Sequence, residues 1–190
     1  MSFLLRMREA AFVARGVAAG PIALGIAPGE RVARVFATAP EAEIAALMGA
    51  GIVKASTGSV LIDQFDPRVQ PAHCKRVVAF VSHAPLPFGD DAEFARYVAY
   101  RAALWDLDAT RALAHARLLL ERLRGMHEAF AYPLAAALAG SPKLVVLDRP
   151  ERAYAAQILA AVGPLATFST HLDGAAASAF AAAATDAVLA

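Results

Sequence analysis

The chain has 190 residues, 58% of them hydrophobic, with 18 basic against 17 acidic side chains and a mean hydropathy of +0.49. That length suits one domain, residues 1–190, with a sizeable core. The scattered, balanced charge gives no electrostatic ground for binding nucleic acid or an acidic membrane surface.

No window supplies about 18 uninterrupted strongly apolar residues, so no direct membrane span is expected. About a quarter of the residues are alanine, which raises the apolar count without adding much buried area. "MSFLLRMREAAFVARG" carries two arginines and a glutamate by position 9 and does not read as a signal peptide. The single Cys74 excludes an internal disulfide and a Cys-based metal site, and the cytoplasm is the expected compartment. A high apolar fraction without a span points to surface covered by a partner.

In chain order, short apolar runs bounded by turn residues read as strands. "GPIALGIAPGE" (20–30) and "RVARVFA" (31–37) flank a Pro28-Gly29 turn. Residues 41–48 form the first helix, and "SVLID" (59–63) and "RVVAFVS" (76–82) are the next strands. Residues 90–104 and 109–123 carry apolar side chains at three- and four-residue spacing, as helices do. A further helix over 127–139 stops at Gly140-Ser141-Pro142. "KLVVLD" (143–148), a helix over 151–162, "LATFSTH" (165–171) and a helix over 174–189 complete the chain. "VVAFV", "LVVL" and "ATFST" lack alternation, as strands covered on both faces do. Early antiparallel strands followed by alternating helices and parallel strands give an α/β domain.

The order of these pieces resembles the ATP-binding cassette of ABC transporters over nearly the full length. "GIAPGERVARVF" is similar to the strand, Pro-Gly-Glu turn and strand that precede the family's P-loop. "MGAGIVKASTGSVLIDQFDP" resembles the segment after the P-loop helix, and "KRVVAFVSHAPLPF" the strand that ends at the Q-loop glutamine. "AAALAGSPKLVVLDRP" resembles the helix after the signature motif, the turn and the Walker B strand. "LATFSTHLD" resembles the switch-histidine strand. The resemblance implies a P-loop-NTPase-like ABC ATPase fold with a mixed sheet. A small antiparallel N-terminal part and a shortened helical subdomain, at about 90–130, are expected with it.

The resemblance also assigns positions, and most hold the wrong chemistry. A P-loop needs glycines that turn backbone N–H groups toward phosphate, a lysine, and a Ser/Thr for Mg²⁺. Its eight residues fall on 36–43, where the lysine position is Ala42 and the Mg²⁺ position is Glu43; no glycine occurs from Glu30 to Met48. Thr38-Ala39-Pro40-Glu41 instead fits a capping box with Thr38 as N-cap. Glu41 and Glu43 add negative charge at the positive end of the helix dipole. The Q-loop position is His83, in a stretch "HAPLPF" that either docks a partner helix or packs on its own domain. The signature motif falls near Arg124-Gly125-Met126-His127-Glu128, without its serine, and Arg124 reads as a solvated helix-end arginine.

Asp148 matches the Walker B aspartate and His171 the switch histidine, whereas the catalytic glutamate position is Arg149. A guanidinium cannot serve as a general base; Arg149 is expected to pair with Asp148 or Glu151. Asp148 and Thr170-His171 also suit purely structural roles, capping a turn and satisfying a buried network. Ser169, His171 and Asp173 lack the geometry of a triad, His73 and Cys74 lack further metal ligands, and Trp105 reads as a partly buried core residue.

The resemblance therefore implies an inactive member of the fold, not an enzyme, with no catalytic residue, no cofactor and no metal. It would pair with a catalytic ABC ATPase subunit, with itself, or with a membrane permease, and lie in the cytoplasm at the inner face of the membrane. The alternative is a regulatory or assembly module outside transport. Because the whole loop differs, Ala42→Lys alone is expected to leave ATP binding undetectable by calorimetry at millimolar nucleotide.

Overall fold

The computed structural model describes residues 2–14, 16–84, 88 and 90–182. Strands β1 (Leu5–Ala14), β2 (Val17–Ile26) and β4 (Thr57–Ile62) form an antiparallel sheet in the order β2-β1-β4. Strands β3 (Arg31–Val35), β5 (Val78–Val81), β6 (Leu144–Asp148) and β7 (Ala166–His171) form a parallel sheet in the order β3-β7-β6-β5. The α/β class with a small antiparallel N-terminal part is thus the one observed. The expected mixed sheet is resolved into two, one antiparallel and one wholly parallel.

Helix α1 (Ala39–Gly49) packs against strands of both sheets. Ala42, Ala45, Ala46, Met48 and Gly49 are buried on it. A helix held between two sheets has little room for large side chains, which is why small residues dominate its buried surface. The tightest approach is at Gly49, where a Cβ would lie 2.8 Å from the ring of the fully buried Phe168.

The parallel strands are covered on both faces. Leu144, Val146 and Val78 join the cluster around α1 and the antiparallel sheet. Val145, Leu147, Ala79 and Val81 face the other way, into a cluster built on helices α3 (Asp91–Leu104), α4 (Ala109–Arg122) and α5 (Glu128–Leu138). A 3₁₀ turn Arg152–Tyr154, α6 (Ala155–Val162) and α7 (Gly174–Ala182) complete the described chain. Residues 183–189 of the expected last helix lie outside the described residues. Among the described residues, no helix is long and apolar enough to cross a membrane.

Two elements depart from the sequence expectation. β1 is a ten-residue strand whose alternation is broken by register shifts after Met7 and Ala10, with Glu9 at φ +47°. An extra residue in one strand shifts the inward-facing set and erases the period-two pattern. α2 (Pro71–Val77) has only seven residues, too few to show a helical period, and begins the segment otherwise read as strand from Arg76.

The contact at Gly49 yields a prediction. Gly49→Ala gains about 1 kcal/mol of helix propensity, but overpacking against Phe168 costs about 1–3 kcal/mol. Urea unfolding is expected to show a net loss of stability, and Gly49→Ala with Phe168→Leu is expected to regain part of it.

Candidate functional site

The carboxyl ends of β3, β5, β6 and β7 bring together the residues singled out from the sequence. In open α/β sheets this edge is where ligands are held. Phe36 to Glu43 leave β3 and enter α1, His83 follows β5, Asp148 and Arg149 end β6, and His171 ends β7. Arg124 to Glu128 lie at the junction of α4 and α5.

The start of α1 is closed by its own chain. Thr38 is the N-cap, in extended conformation at φ −135° and ψ 155°. Its Oγ1 accepts from the Glu41 N–H at 3.3 Å, and Glu41 Oε2 accepts from the Ala37 N–H at 3.2 Å. This is a capping box in which the glutamate reaches one residue before the cap. The Phe36 N–H donates to the His171 carbonyl at 2.9 Å, and the Ala42 N–H to the Thr38 carbonyl at 3.0 Å. Pro40 in the first turn has no N–H to offer. The N–H groups of Phe36, Ala37, Glu41 and Ala42 are therefore engaged internally and not directed at an anion.

Asp148 is buried, at 1% exposure. Its carboxylate accepts from Arg149 Nε at 2.9 Å and from an Arg149 terminal nitrogen at 3.0 Å. Thr170 Oγ1 donates to it at 3.1 Å, and the His83 N–H approaches at 3.4 Å. The same guanidinium lies 3.7 Å from Glu43 on α1. Hydrogen bonding to Asp148 is the main cause that raises the Arg149 pKa above its ordinary value; burial opposes it, and the charges of Asp148 and Glu43 add to it. Of the two partners expected for Arg149, Asp148 is the one engaged, and Glu43 takes the place expected of Glu151. The backbone of Arg149 is held as firmly. Its N–H donates to the Thr170 carbonyl at 3.0 Å, and its φ of +45° is unusual for a non-glycine residue.

His83 is exposed, with Nδ1 3.1 Å from the Arg149 carbonyl. A carbonyl only accepts, so Nδ1 carries the hydrogen. Within "HAPLPF", residues 85–87 lie outside the described residues; Phe88 is turned inward, with its ring centroid 5.5 Å from that of Phe94 and 5.3 Å from that of Tyr97. Phe88 therefore packs on its own domain.

His171 is buried, with Nε2 2.9 Å from Ser169 Oγ and its ring centroid 5.1 Å from that of Phe180. Burial lowers its pKa, against a smaller upward pull from Asp173. Asp173 itself caps α7 by accepting from the Ala176 N–H at 2.7 Å. Ser169, His171 and Asp173 thus do not form a relay: two of them bond inside the core and the third is committed to a helix.

Near Arg124, the side chain is exposed and paired with Glu121, and His127 caps α5 by accepting from the Ala129 N–H. Cys74 is buried with Sγ 3.6 Å from the Phe65 carbonyl, and burial pushes its pKa up. Trp105 is half-buried and lies over Gly140, where a Cβ would come within 2.0 Å of its ring. Among the described residues, no group of three or more His, Cys, Asp or Glu side chains is placed to hold a metal ion. Glu43 as a partner of Arg149 and Thr170 as a donor to Asp148 were not legible from the sequence, because only the parallel pairing of β6 with β7 and the seat of α1 bring them together.

Two predictions follow from this geometry. Breaking a buried ion pair leaves an uncompensated charge, so Arg149→Ala is expected to cost about 3 kcal/mol in urea unfolding, the lower part of the usual range because Arg149 keeps some solvent contact. Asp148→Asn in the same chain should recover part of the loss. For His171, the folded pKa lies below the unfolded value of 6.5. Below pH 6.5 the unfolded chain binds the proton first, so stability falls on acidification and is complete above that pH. Thermal unfolding between pH 7.5 and 5 should show this slope, and His171→Gln should flatten it.

No protein-family model matches the sequence, and comparison with curated proteins finds no relative. The fold is similar to that of solved ATP-binding cassettes. An ATP-binding subunit of an ABC transporter matches with a TM-score of 0.71 at 13% identity, over 88% of this chain and 79% of that one. The cbiO1 protein of Clostridium perfringens, part of the ABC transporter complex cbiONQ, matches with a TM-score of 0.67 at 16% identity, over 91% and 80%. The ATP-binding cassette MJ0796, in a dimeric post-hydrolysis state bound to ADP and Pi, matches with a TM-score of 0.68 at 15% identity, over 92% and 90%.

Proposed function

We propose that this chain is an ABC-type nucleotide-binding-like subunit that does not hydrolyse ATP and acts as a scaffold or regulator in an ABC transporter complex. The observation that carries this reading is the start of α1. The helix terminus that would receive phosphate is capped by Thr38 and Glu41, and the following Glu43 adds further negative charge. A triphosphate brought there would meet engaged donors and two carboxylates at the end of the dipole where an anion needs the reverse.

The rest of the edge supports the same reading. Asp148 is bonded to Arg149, and Arg149 supplies no base for activating water. Composite sites in dimers of this fold need a donor loop from each subunit. Here the corresponding stretch holds Arg124 paired with Glu121 and a capping His127. A chain with this fold and without a phosphate cradle still offers surfaces to an ATPase subunit or a permease. It would then lie at the cytoplasmic face of a membrane through that partner.

Two measurements test the proposal. Calorimetry with ATP and Mg²⁺ is expected to show no binding at micromolar nucleotide; a micromolar Kd would sink it. Purification of the tagged chain from its native cell is expected to recover an ATPase subunit with intact phosphate loop, or a multi-span membrane protein. Recovery of soluble non-ATPase partners alone would favour a regulatory module outside transport.

A further inference from the structure

The Asp148–Arg149 pair does more than neutralise a charge, because its contacts reach three other segments at the sheet edge. The guanidinium holds Asp148 at 2.9 and 3.0 Å and lies 3.7 Å from Glu43 on α1. The Arg149 N–H is taken by Thr170 of β7, with the carbonyl at 3.0 Å and Oγ1 at 3.3 Å. The Arg149 carbonyl accepts from His83 Nδ1, and Asp148 accepts from the His83 N–H. His83, two residues after β5, is thus tied to β6 by both its backbone and its ring.

We infer that Arg149 is a permanent internal cation that stands where a dissociable one would otherwise bridge Asp148 and Glu43, and that it fixes the segment around His83 to the sheet irrespective of divalent metal. A guanidinium and a divalent ion serve the same electrostatic need at a buried carboxylate, since either offsets the desolvated charge. They differ in permanence. A bound ion can dissociate, whereas a side chain of the same chain cannot. The segment after His83 leads into α3 and the helical cluster.

The inference concerns the loop and not the partner, so its failure leaves the proposed scaffold role untouched, and absence of a partner leaves the tether intact. The test is amide hydrogen exchange at residues 82–84 in the full chain, with the amides of β6 as the internal reference for global opening. In the unsubstituted protein, exchange at residues 82–84 is expected to be the same with and without millimolar Mg²⁺. In Arg149→Gln it is expected to rise about tenfold while β6 is unchanged, and Mg²⁺ should slow it again, because Asp148 and Glu43 are then free to share the ion. Unaltered exchange at 82–84 in folded Arg149→Gln would overturn the tether. Slowing by Mg²⁺ in the unsubstituted protein, or no effect of Mg²⁺ on Arg149→Gln, would overturn the substitution for a metal. Should Arg149→Gln fail to fold, Asp148→Asn/Arg149→Gln removes the unpaired charge. Faster exchange at 82–84 in that variant supports the tether, and unchanged exchange overturns it.

Discussion

A carboxylate buried at the end of a strand needs a positive charge within bonding distance, and much of the arrangement at this sheet edge answers that need. β6 is covered on both faces, so Asp148 cannot reach bulk water. Its counter-charge comes from the next residue in the chain. The backbone at Arg149 has a positive φ, and β7 supplies Thr170 as a further donor to Asp148. Once the guanidinium is there, Glu43 at the start of α1 comes within ion-pair range, and His83 has a carbonyl to bond to.

The second constraint is space. α1 runs between an antiparallel and a parallel sheet, and its buried positions are alanine, glycine and methionine. Larger side chains would force the sheets apart, as the approach of Gly49 to Phe168 indicates. At the first turn of α1, Thr38 accepts from the Glu41 and Ala42 N–H groups, and Glu41 from the Ala37 N–H. The same seat that places a helix N-terminus at the sheet edge makes the identity of four or five residues there decide between an anion site and a closed cap.

The order of strands and helices was readable because the buried parallel strands are unbroken apolar runs and the long helices carry a clear period. β1 escaped because a bulge near Glu9 shifts its alternation, and α2 because seven residues starting at a proline show no period. Phe88 shows a different limit. An apolar residue in a proline-rich loop reads equally as an exposed anchor or as a core contact, and only its position against Phe94 and Tyr97 decides.

At the site, the division follows sequence distance. The cap of α1 is a local interaction among neighbours within five residues, so Thr38, Pro40 and Glu41 announced it in the chain itself. The pairing of Arg149 with the adjacent Asp148 was legible for the same reason. Glu43, Thr170 and His83 come to that pair from distant segments. Their meeting depends on the parallel register of β6 with β7, on the place of β5 at the edge, and on where α1 rests between the sheets. The sequence by itself determined which groups could be charged, capped or apolar. Tertiary structure alone decided which of them share one buried carboxylate, because burial and long-range contact are properties of the packed chain and not of any segment within it.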